Sequence, residues 1–302
     1  MIMNKFMCGT SSAPIQTRRL FFLFALILFF ILIISLTSNH KHDPSTPSRP
    51  PRHPPIAGGI PLRIMFLGAS ITCGVASTGD VGFRLPLRNK LVSVGNPVNL
   101  VGSQRVGDFK DNDLEGYPGN RIDEVHAKSV NIVSSVKPNI FIIHAGTNDC
   151  IQNFDTGNLG VRMGDFVNYL LEVSPNATVI MSTLLTSTWP GIEPCVLDAN
   201  IQIRKLASML EREGKRVVLA EMYYEQGFPN RPVPSDISPD GTHPFDLGYA
   251  MMAEIFWSAI IDAQNRWFLQ APEVNGILDD GDRSVFGWVY TALFADEDKT
   301  NP

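Results

Sequence analysis

The sequence lacks several features that would identify its chemistry directly. It has no internal repeat, no cysteine and histidine spacing of the kind that binds metal ions, and no glycine-rich phosphate loop. It also lacks an excess of positive charge, since charged residues make up 18% of the chain and the formal net charge is −5. Nucleic acids and anionic membrane surfaces attract clustered positive charge. The composition therefore gives no reason to expect a nucleic-acid partner.

Histidine is also scarce, with 6 residues in the chain. Half of them precede Pro61 in a proline-rich stretch, which leaves His126, His144 and His243 for the remainder. Histidine is the side chain whose unperturbed pKa suits proton transfer near neutral pH. His126 falls in a helical pattern and is expected to pack or to face solvent. His144 ends a buried strand, where it either fills the core or lines a site.

One long apolar run, Leu20–Leu36, stands near the amino terminus and is interrupted only by Ser35. Its length lies at the short end of the ~17–25 residues that span a bilayer, and a signal-peptide cleavage site is poorly matched after it. We expect an uncleaved membrane anchor, with the basic residues 1–19 in the cytosol and the rest of the chain lumenal or extracellular. The alternative is a cleaved signal peptide and a secreted protein.

The residues after this run divide into three parts. Residues 37–61 are rich in proline and cannot form a core, so we expect an extended linker. Residues 62–268 carry regular apolar patterns and are long enough for one sizeable core, which we expect to be monomeric. Residues 269–302 are less regular and form a carboxyl-terminal extension with an acidic end.

Apolar runs and helical patterns alternate through residues 62–268. The runs around Ile140–Ile143 and Val179–Met181 are continuous, which is typical of parallel strands covered on both faces. The alternation predicts a three-layer α/β/α domain with a five-stranded parallel sheet. The expected strands are Leu62–Leu67, Val98–Val101, Asn139–Ala145, Ala177–Thr183 and Arg216–Ala220, and the expected helices are about Phe83–Val94, Arg121–Ser135, Leu159–Glu172, Leu197–Glu213 and Phe245–Arg266.

The chain has 4 cysteines. With Cys8 on the predicted cytosolic side, Cys73, Cys150 and Cys195 share an oxidising compartment, so at least one stays free or pairs with another chain. Cys150 and Cys195 each follow a predicted strand at the same end of the sheet. A disulfide between them and burial as free thiols are both compatible with the sequence.

Ser70 lies where the first predicted strand ends, directly after the apolar run Leu62–Leu67. Open α/β sheets bind their ligands at the carboxyl ends of the strands. A serine at this position can also do no more than close a tight turn. Ser70 becomes a candidate nucleophile because of residues far downstream. His243 can supply the base, and Gly119 and Asn148 the hydrogen-bond donors, that acyl transfer requires.

His243 lies in the turn-rich segment Ser238–Pro244, just before the last predicted helix. Asp240 is three residues upstream, so one loop can deliver both a carboxylate and an imidazole. The carboxylate would accept a hydrogen bond from one ring nitrogen and leave the other facing Ser70. Asp236, in the same loop, is the rival for this orienting role.

Two loops can supply donors for the oxyanion that forms in acyl transfer, which needs donors already in place. Glu115–Arg121 is a glycine-rich loop before a helix, where Gly119 can expose its backbone N–H. Gly146–Asp149 follows the central predicted strand, where Asn148 can offer a side-chain amide. Both loops fall at the edge of the sheet that carries Ser70.

These four blocks resemble, in order and spacing, the Ser, Gly, Asn and His blocks of the SGNH (GDSL) hydrolase superfamily, over about residues 62–267. The resemblance implies the flavodoxin-like SGNH hydrolase fold. It also implies Ser70 as nucleophile, His243 as base, Asp240 as its orienting acid, and an oxyanion hole formed by Gly119, Asn148 and the Ser70 backbone N–H. It implies no metal and no organic cofactor.

Two further segments, Val101–Arg105 and Glu115–Gly119, are similar to those of the carbohydrate esterase family three acetylxylan esterases. The chain departs from the family at Ala69, where an aspartate is usual, and at Leu114, where the esterases often have histidine. We therefore expect a serine esterase that removes acetyl or short acyl groups from carbohydrate. The alternatives are a lipid or small-ester hydrolase, an acyltransferase on the same fold, and a carbohydrate-binding protein without turnover.

Overall fold

A computed structural model describes residues 53–278 of the chain. The predicted anchor at residues 20–36 lies outside this range, together with part of the predicted linker and part of the predicted extension. Among the described residues, no helix is both long and apolar enough to cross a membrane.

Seven strands form one mixed sheet, with the order β3–β4–β1–β5–β6–β7 and with β2 beside β1. In chain order the strands are Leu62–Gly68 (β1), Val98–Leu100 (β2), Gln104–Arg105 (β3), Asp113–Gly116 (β4), Ile140–His144 (β5), Thr178–Ser182 (β6) and Val217–Ala220 (β7).

The prediction of five parallel strands is wrong in number and in type, although each predicted strand exists. The predicted strands run parallel in the order β2–β1–β5–β6–β7, which is the flavodoxin-like order. β4 adds a further parallel strand beside β1, and β3 pairs antiparallel with β4. The two extra strands have 2 and 4 residues and are largely polar, so they lack the apolar run by which the others are recognised.

Helices cover both faces of the sheet, as predicted. They are Ser70–Cys73 (α1), Arg84–Ser93 (α2), Ile122–Val136 (α3), Thr147–Ile151 (α4), Leu159–Val173 (α5), Glu193–Arg212 (α6) and Asp246–Asn265 (α7). The five longer helices are the predicted ones, and α6 begins four residues before the predicted Leu197, with a proline in its first turn. α1 and α4 were not predicted, because a helix of one turn leaves no periodic pattern.

The core is divided into two layers by the sheet, because successive side chains of a strand point to opposite faces. Ile64 and Phe66 of β1 pack in the layer that contains α2 and α7. Met65 and Leu67 pack in the layer that contains α3, α5 and α6. Every residue of β1, β5 and β6 is buried, which explains why their sequences are mostly apolar.

Both ends of the described chain are held at the amino ends of the strands. The Ile56 N–H donates to Asn96 Oδ1 over 2.7 Å, just before β2. The side chain of Asn139, just before β5, accepts from the Arg63 N–H at 2.7 Å and donates to the Gln270 carbonyl at 2.7 Å. The carboxyl ends of the strands are thereby left free for the loops that carry Ser70, Gly119, Asn148 and His243.

Candidate active site

Ser70 is the first residue of α1 and lies two residues after the end of β1. A side chain at Gly68 would place its Cβ 2.2 Å from the His144 carbonyl oxygen and from Thr72 Oγ1, so the chain reaches Ser70 by a path that only glycine permits. Ala69, at the position where the family usually has aspartate, is buried and offers no polar group. The Ser70 side chain is half-buried at the carboxyl edge of the sheet.

A continuous chain of hydrogen bonds joins Ser70, His243 and Asp240. The distance from Ser70 Oγ to His243 Nε2 is 2.8 Å, and the distance from His243 Nδ1 to Asp240 Oδ2 is 2.7 Å. An ionised carboxylate can only accept, so Nδ1 carries the proton and Nε2 accepts from the serine hydroxyl. The imidazole is therefore in the tautomer and orientation that a general base acting on Ser70 requires.

The Asp240 carboxylate also organises the backbone of its own loop. Its Oδ1 accepts from the N–H groups of Thr242 at 2.8 Å and His243 at 3.0 Å. Partial burial acts to raise the pKa of this carboxyl, but these two amides, the His243 imidazole and Ser238 outweigh it and lower the pKa to about 2. Asp240 is thus ionised at any pH at which the protein is expected to work.

A second loop, after β6, is hydrogen-bonded to the His243 loop and fixes it in place. The Gly241 carbonyl accepts from Ser187 Oγ at 2.6 Å, from the Thr188 N–H at 2.9 Å and from the Trp189 N–H at 3.1 Å. Gly241 has a φ of 82°, and a Cβ there would lie 2.7 Å from the Trp189 nitrogen. The conformation and the close approach both require glycine.

The Gly119 loop is joined directly to the nucleophile loop. The Tyr117 N–H donates to the Gly68 carbonyl at 3.0 Å, which continues the pairing of β4 with β1. The buried Glu115 carboxylate accepts from the Tyr117 hydroxyl and the Ser103 N–H, and so connects the two segments that resemble the carbohydrate esterases. Burial, with the neighbouring Glu115, raises the pKa of Tyr117 to about 12.

Gly119 lies on the loop after β4 and Asn148 on α4, and these two segments contact each other. Asn148 Nδ2 donates to the Asn120 carbonyl at 3.0 Å, which leaves its second amide N–H for another acceptor. Gly119 has a φ of 81°, and the position of a Cβ on it lies in open space. Both residues follow strands that pair with β1, so they share the sheet edge with Ser70.

Gln152 and Arg121 are parts of this site that the sequence did not predict. Gln152 Nε2 donates to the Gly119 carbonyl at 2.8 Å, and Gln152 Oε1 accepts from Arg121 Nη1 at 2.7 Å. The guanidinium of Arg121 also lies 4.0 Å from the centroid of the Phe154 ring. The contact between Gln152 and Gly119 joins residues 33 apart in sequence, so no local motif could have indicated it.

Cys150 and Cys195 form a disulfide, which was one of the two alternatives left open by the sequence. It joins α4, which carries Asn148, to the first turn of α6, which follows the Trp189 loop. Cys73 is free and buried, and burial raises the pKa of its thiol to about 11. Because a buried, protonated thiol is a poor nucleophile, Cys73 serves as a packing residue.

The other two histidines of the domain fill structural positions. His144 is fully buried on β5, and its Nδ1 donates at 2.8 Å to Ser182 Oγ, which itself donates to the Ile143 carbonyl. Burial lowers the pKa of His144 to about 4. His126 packs its ring on Phe166 with 4.7 Å between ring centroids. Of the three candidates, only His243 is positioned to act on Ser70.

Within residues 53–278, no group of three or more His, Cys, Asp or Glu side chains is arranged to hold a metal ion. The groups at the sheet edge are instead a hydroxyl, an imidazole, a carboxylate and amide donors. Such a set can deprotonate an alcohol, stabilise an oxyanion and return the proton to a leaving group, which are the steps of acyl transfer.

Comparison with known proteins agrees with this chemistry. The chain matches the sequence model of the GDSL-like Lipase/Acylhydrolase family over residues 66–251. A Clostridium thermocellum family 3 carbohydrate esterase is 25% identical to it with a TM-score of 0.59, over 68% of this chain and 98% of the esterase. A family 3 carbohydrate esterase from Talaromyces cellulolyticus is 21% identical with a TM-score of 0.58, over 68% and 99% of the two chains.

A mutant acetyl esterase, solved with an acetate ion, is also 21% identical, with a TM-score of 0.58 over 68% of this chain and 99% of the esterase. No curated protein matches the chain significantly. The family match covers most of the described residues and includes Ser70, Gly119, Asn148 and His243. The chain therefore belongs to the GDSL-like lipase/acylhydrolase family, and it is an ester hydrolase.

Proposed function

We propose that this protein is a serine esterase that removes acetyl or similar short acyl groups from carbohydrate through a Ser70–His243–Asp240 triad. The observation that carries the proposal is the unbroken chain of hydrogen bonds, 2.7 Å and 2.8 Å long, from Asp240 through His243 to Ser70. The same three residues stand at the sheet edge where open α/β folds bind ligands.

In the proposed acylation step, Ser70 Oγ attacks the ester carbonyl carbon while its proton passes to His243 Nε2. The carbonyl becomes an oxyanion, which the N–H groups of Ser70 and Gly119 and the free amide N–H of Asn148 stabilise. When the oxyanion collapses, the ester C–O bond breaks, and His243 gives the proton to the departing alkoxide. Asp240 stabilises the imidazolium that exists between these two transfers.

Deacylation repeats the same steps with water as the nucleophile. His243 takes a proton from water, the resulting tetrahedral oxyanion occupies the same donors, and its collapse releases the carboxylic acid and restores the Ser70 hydroxyl. Every proton transfer in acylation and deacylation therefore passes through Nε2 of His243. No metal or organic cofactor enters these steps.

Two observations support carbohydrate as the alcohol part of the substrate. The Clostridium thermocellum family 3 carbohydrate esterase shares 25% of its residues with this chain and is covered over 98% of its length. The segments containing Ser103 and Tyr117, which resemble those of such esterases, meet at the buried Glu115 next to the Gly119 loop.

For location, we propose that residues 20–36 anchor the enzyme in a membrane, with the catalytic domain as a monomer on the lumenal or extracellular side. The disulfide between Cys150 and Cys195 supports an oxidising compartment, because cytosolic thiols are kept reduced. Carbonate extraction tests the anchor: the full chain should remain with the membranes. A mature chain whose first residue is found near Thr37 would establish a secreted enzyme instead.

Activity measurements on the purified full chain separate the candidate functions. We expect hydrolysis of p-nitrophenyl acetate and release of acetate from acetylated xylan, with Ser70→Ala as the matched inactive control. Hydrolysis of long-chain esters in preference to both would favour a lipid hydrolase. Transfer of the acyl group to an added alcohol in place of water would favour an acyltransferase. Binding of xylan without release of acetate would favour a carbohydrate-binding protein.

A further inference from the structure

We propose that Trp189 is a specificity-determining residue, on which a sugar ring of the substrate's alcohol part stacks. The inference rests on the proposed function and deepens it, because it assigns the carbohydrate to one side of the site. Four features of the described residues carry it: the direction of proton transfer, the attachment of Trp189 to the His243 loop, the rigidity of its own loop, and the exposure of its indole ring.

Proton transfer fixes where the alcohol must lie. His243 Nε2 lies 2.8 Å from Ser70 Oγ and is the atom that returns a proton to the departing alkoxide. The alcohol oxygen must therefore lie on the His243 side of Ser70 when the ester bond breaks. The carbonyl oxygen points the other way, toward the donors at Gly119 and Asn148. A residue that is fixed beside the His243 loop is consequently a candidate for contact with the carbohydrate.

Trp189 is fixed in that position through its backbone. Its N–H lies 3.1 Å from the Gly241 carbonyl and 3.1 Å from Ser187 Oγ. Its nitrogen and Cα lie so close to Gly241 that a Cβ on that glycine would be 2.7 Å and 2.9 Å from them. Gly241 is two residues from His243, so the backbone of Trp189 is held at a fixed position relative to the His243 loop.

The loop that carries Trp189 is also held from within. The Glu193 carboxylate accepts from Thr186 Oγ1 at 3.1 Å, from the Ser187 N–H at 2.9 Å and from the Tyr223 hydroxyl at 2.5 Å. The disulfide at Cys195 holds the following turn. A side chain on such a loop loses little conformational entropy when it binds a ligand, which is the advantage of preorganisation.

The indole ring of Trp189 is available for a ligand. It is 44% exposed. In the part of the chain that the structure describes, no aromatic ring or cation stacks on the Trp189 indole. By contrast, the Trp257 ring has the His53 ring 5.4 Å away, between centroids, and Lys90 Nζ 4.8 Å from its centroid. The negative face of an indole attracts the weakly positive C–H groups on the face of a pyranose. Binding sites place such rings beside a few polar groups.

Phe245 is the rival for this role. It is two residues after His243 and is also 44% exposed. Its N–H is held by the Asp236 carbonyl at 2.8 Å, so it too has a fixed backbone. We assign the sugar to Trp189 because its indole offers the larger face and because its backbone N–H is bonded directly to the Gly241 carbonyl. A Phe245→Ala variant tests the assignment.

The experiment compares two acetate esters in the full-length enzyme. One is an acetylated xylo-oligosaccharide, and the other is ethyl acetate, whose alcohol has no ring to stack. Trp189→Ala should lower kcat/KM for the oligosaccharide by about 10- to 100-fold, mainly through a higher KM, and that for ethyl acetate by at most a few-fold. Trp189→Phe should restore most of the loss. Trp267→Ala, which removes an indole that is 90% exposed beyond the end of α7, is the matched control and should alter neither rate.

Each other outcome overturns the inference in a recognisable way. Equal losses for both esters in Trp189→Ala would mean that the residue only supports the His243 loop. Full activity of Trp189→Ala on the oligosaccharide, or a selective loss in Phe245→Ala instead, would remove Trp189 from this role while the proposed function stands. A wild-type enzyme that hydrolyses ethyl acetate but not the acetylated oligosaccharide would overturn the carbohydrate proposal, and the stacking role with it.

Discussion

The two sides of the site are built by different means. On one side, Ser70, His243 and Asp240 are joined through their side chains, over distances of 2.8 Å and 2.7 Å. On the other side, Gly119 contributes a backbone group in a left-handed conformation, with a φ of 81°, and Asn148 a side-chain amide. The first side depends on which residues are present, whereas the second depends largely on how the backbone is held.

This difference predicts how the two sides respond to mutation. In the proposed mechanism, loss of a side chain on the first side removes a reacting group or its orientation, and no neighbour can replace it. Loss of a support on the second side shifts one donor among several, so the remaining donors retain part of the stabilisation. The predictions below test this contrast, from the largest expected effect to the smallest.

The largest effect is expected for the nucleophile. Ser70→Ala should reduce kcat for p-nitrophenyl acetate by about 10⁶, because removal of a triad serine abolishes the covalent route. Circular dichroism and the melting temperature should match those of the wild type, because the side chain is half-buried and contributes one hydrogen bond. A variant that retains more than a few per cent of activity would remove Ser70 from the role.

The next effect concerns the orienting carboxylate. Asp240→Asn should lower kcat by up to about 10⁴, because an amide favours the wrong tautomer of His243. Asp236→Asn is the matched control: its Oδ2 accepts from the Val233 N–H at 3.0 Å and takes no part in the chain to Ser70. Kinetics on both variants decides between the carboxylates. If Asp236→Asn lost most of its kcat while Asp240→Asn stayed active, the orienting role would pass to Asp236.

The second side of the site should be more tolerant. Gln152→Ala should lower kcat about tenfold with little change in KM, because the Gly119 carbonyl loses its 2.8 Å hydrogen bond and the loop is less well fixed. Gln202→Ala is the control, since this amide makes a similar bridge between the Gly160 N–H and the Thr156 carbonyl. Equal losses of kcat in the two variants would show that the contact of Gln152 with Gly119 has no specific effect on catalysis.

The disulfide should affect stability more than catalysis. Its loop of 45 residues predicts a loss of about 4 kcal/mol in the free energy of unfolding for Cys195→Ala, or a fall of about 10 °C in melting temperature. At 25 °C kcat should fall only a few-fold, because Asn148 keeps its hydrogen bond to Asn120. Calorimetry with and without a reductant checks the first effect. An unchanged melting temperature after full reduction contradicts it.

The smallest effect is the dependence of stability on pH at Asp240. Its folded pKa of about 2 lies below the ordinary value of 3.8. The ionised carboxylate therefore contributes stability that is fully present above about pH 4 and is lost as the pH falls toward 2. Melting temperatures of the wild type and Asp240→Asn, measured across this window, should converge at the acid end. Parallel curves would show that Asp240 contributes nothing to the dependence.

The sequence predicted those parts of the fold and site that depend on local pattern. The buried strands were found because both faces are apolar, and Asp240 and His243 were linked because one short loop contains both. β3 and β4 were missed because Gln104–Arg105 and Asp113–Gly116 are short and polar. Their pairing depends on the edge that β1 offers, which is a tertiary property.

The contacts that hold the site in shape were not predictable for the same reason. Gln152 meets Gly119 across 33 residues, and Ser187 meets Gly241 across 54. Neither Gln152 nor Ser187 belongs to a recognised motif, and each makes its contact only when the strands are brought together. The sequence therefore indicated the candidate reacting groups but not the loops and amides that position them.

The anchoring of both described chain ends at Asn96 and Asn139 has a practical consequence. Asn96 and Asn139 each precede a strand, so Ile56 and Gln270 lie at the edge of the sheet opposite Ser70. A strand of five residues separates the two edges by about 17 Å. Attached to a surface at Ile56 or Gln270, the domain would therefore present its site outward.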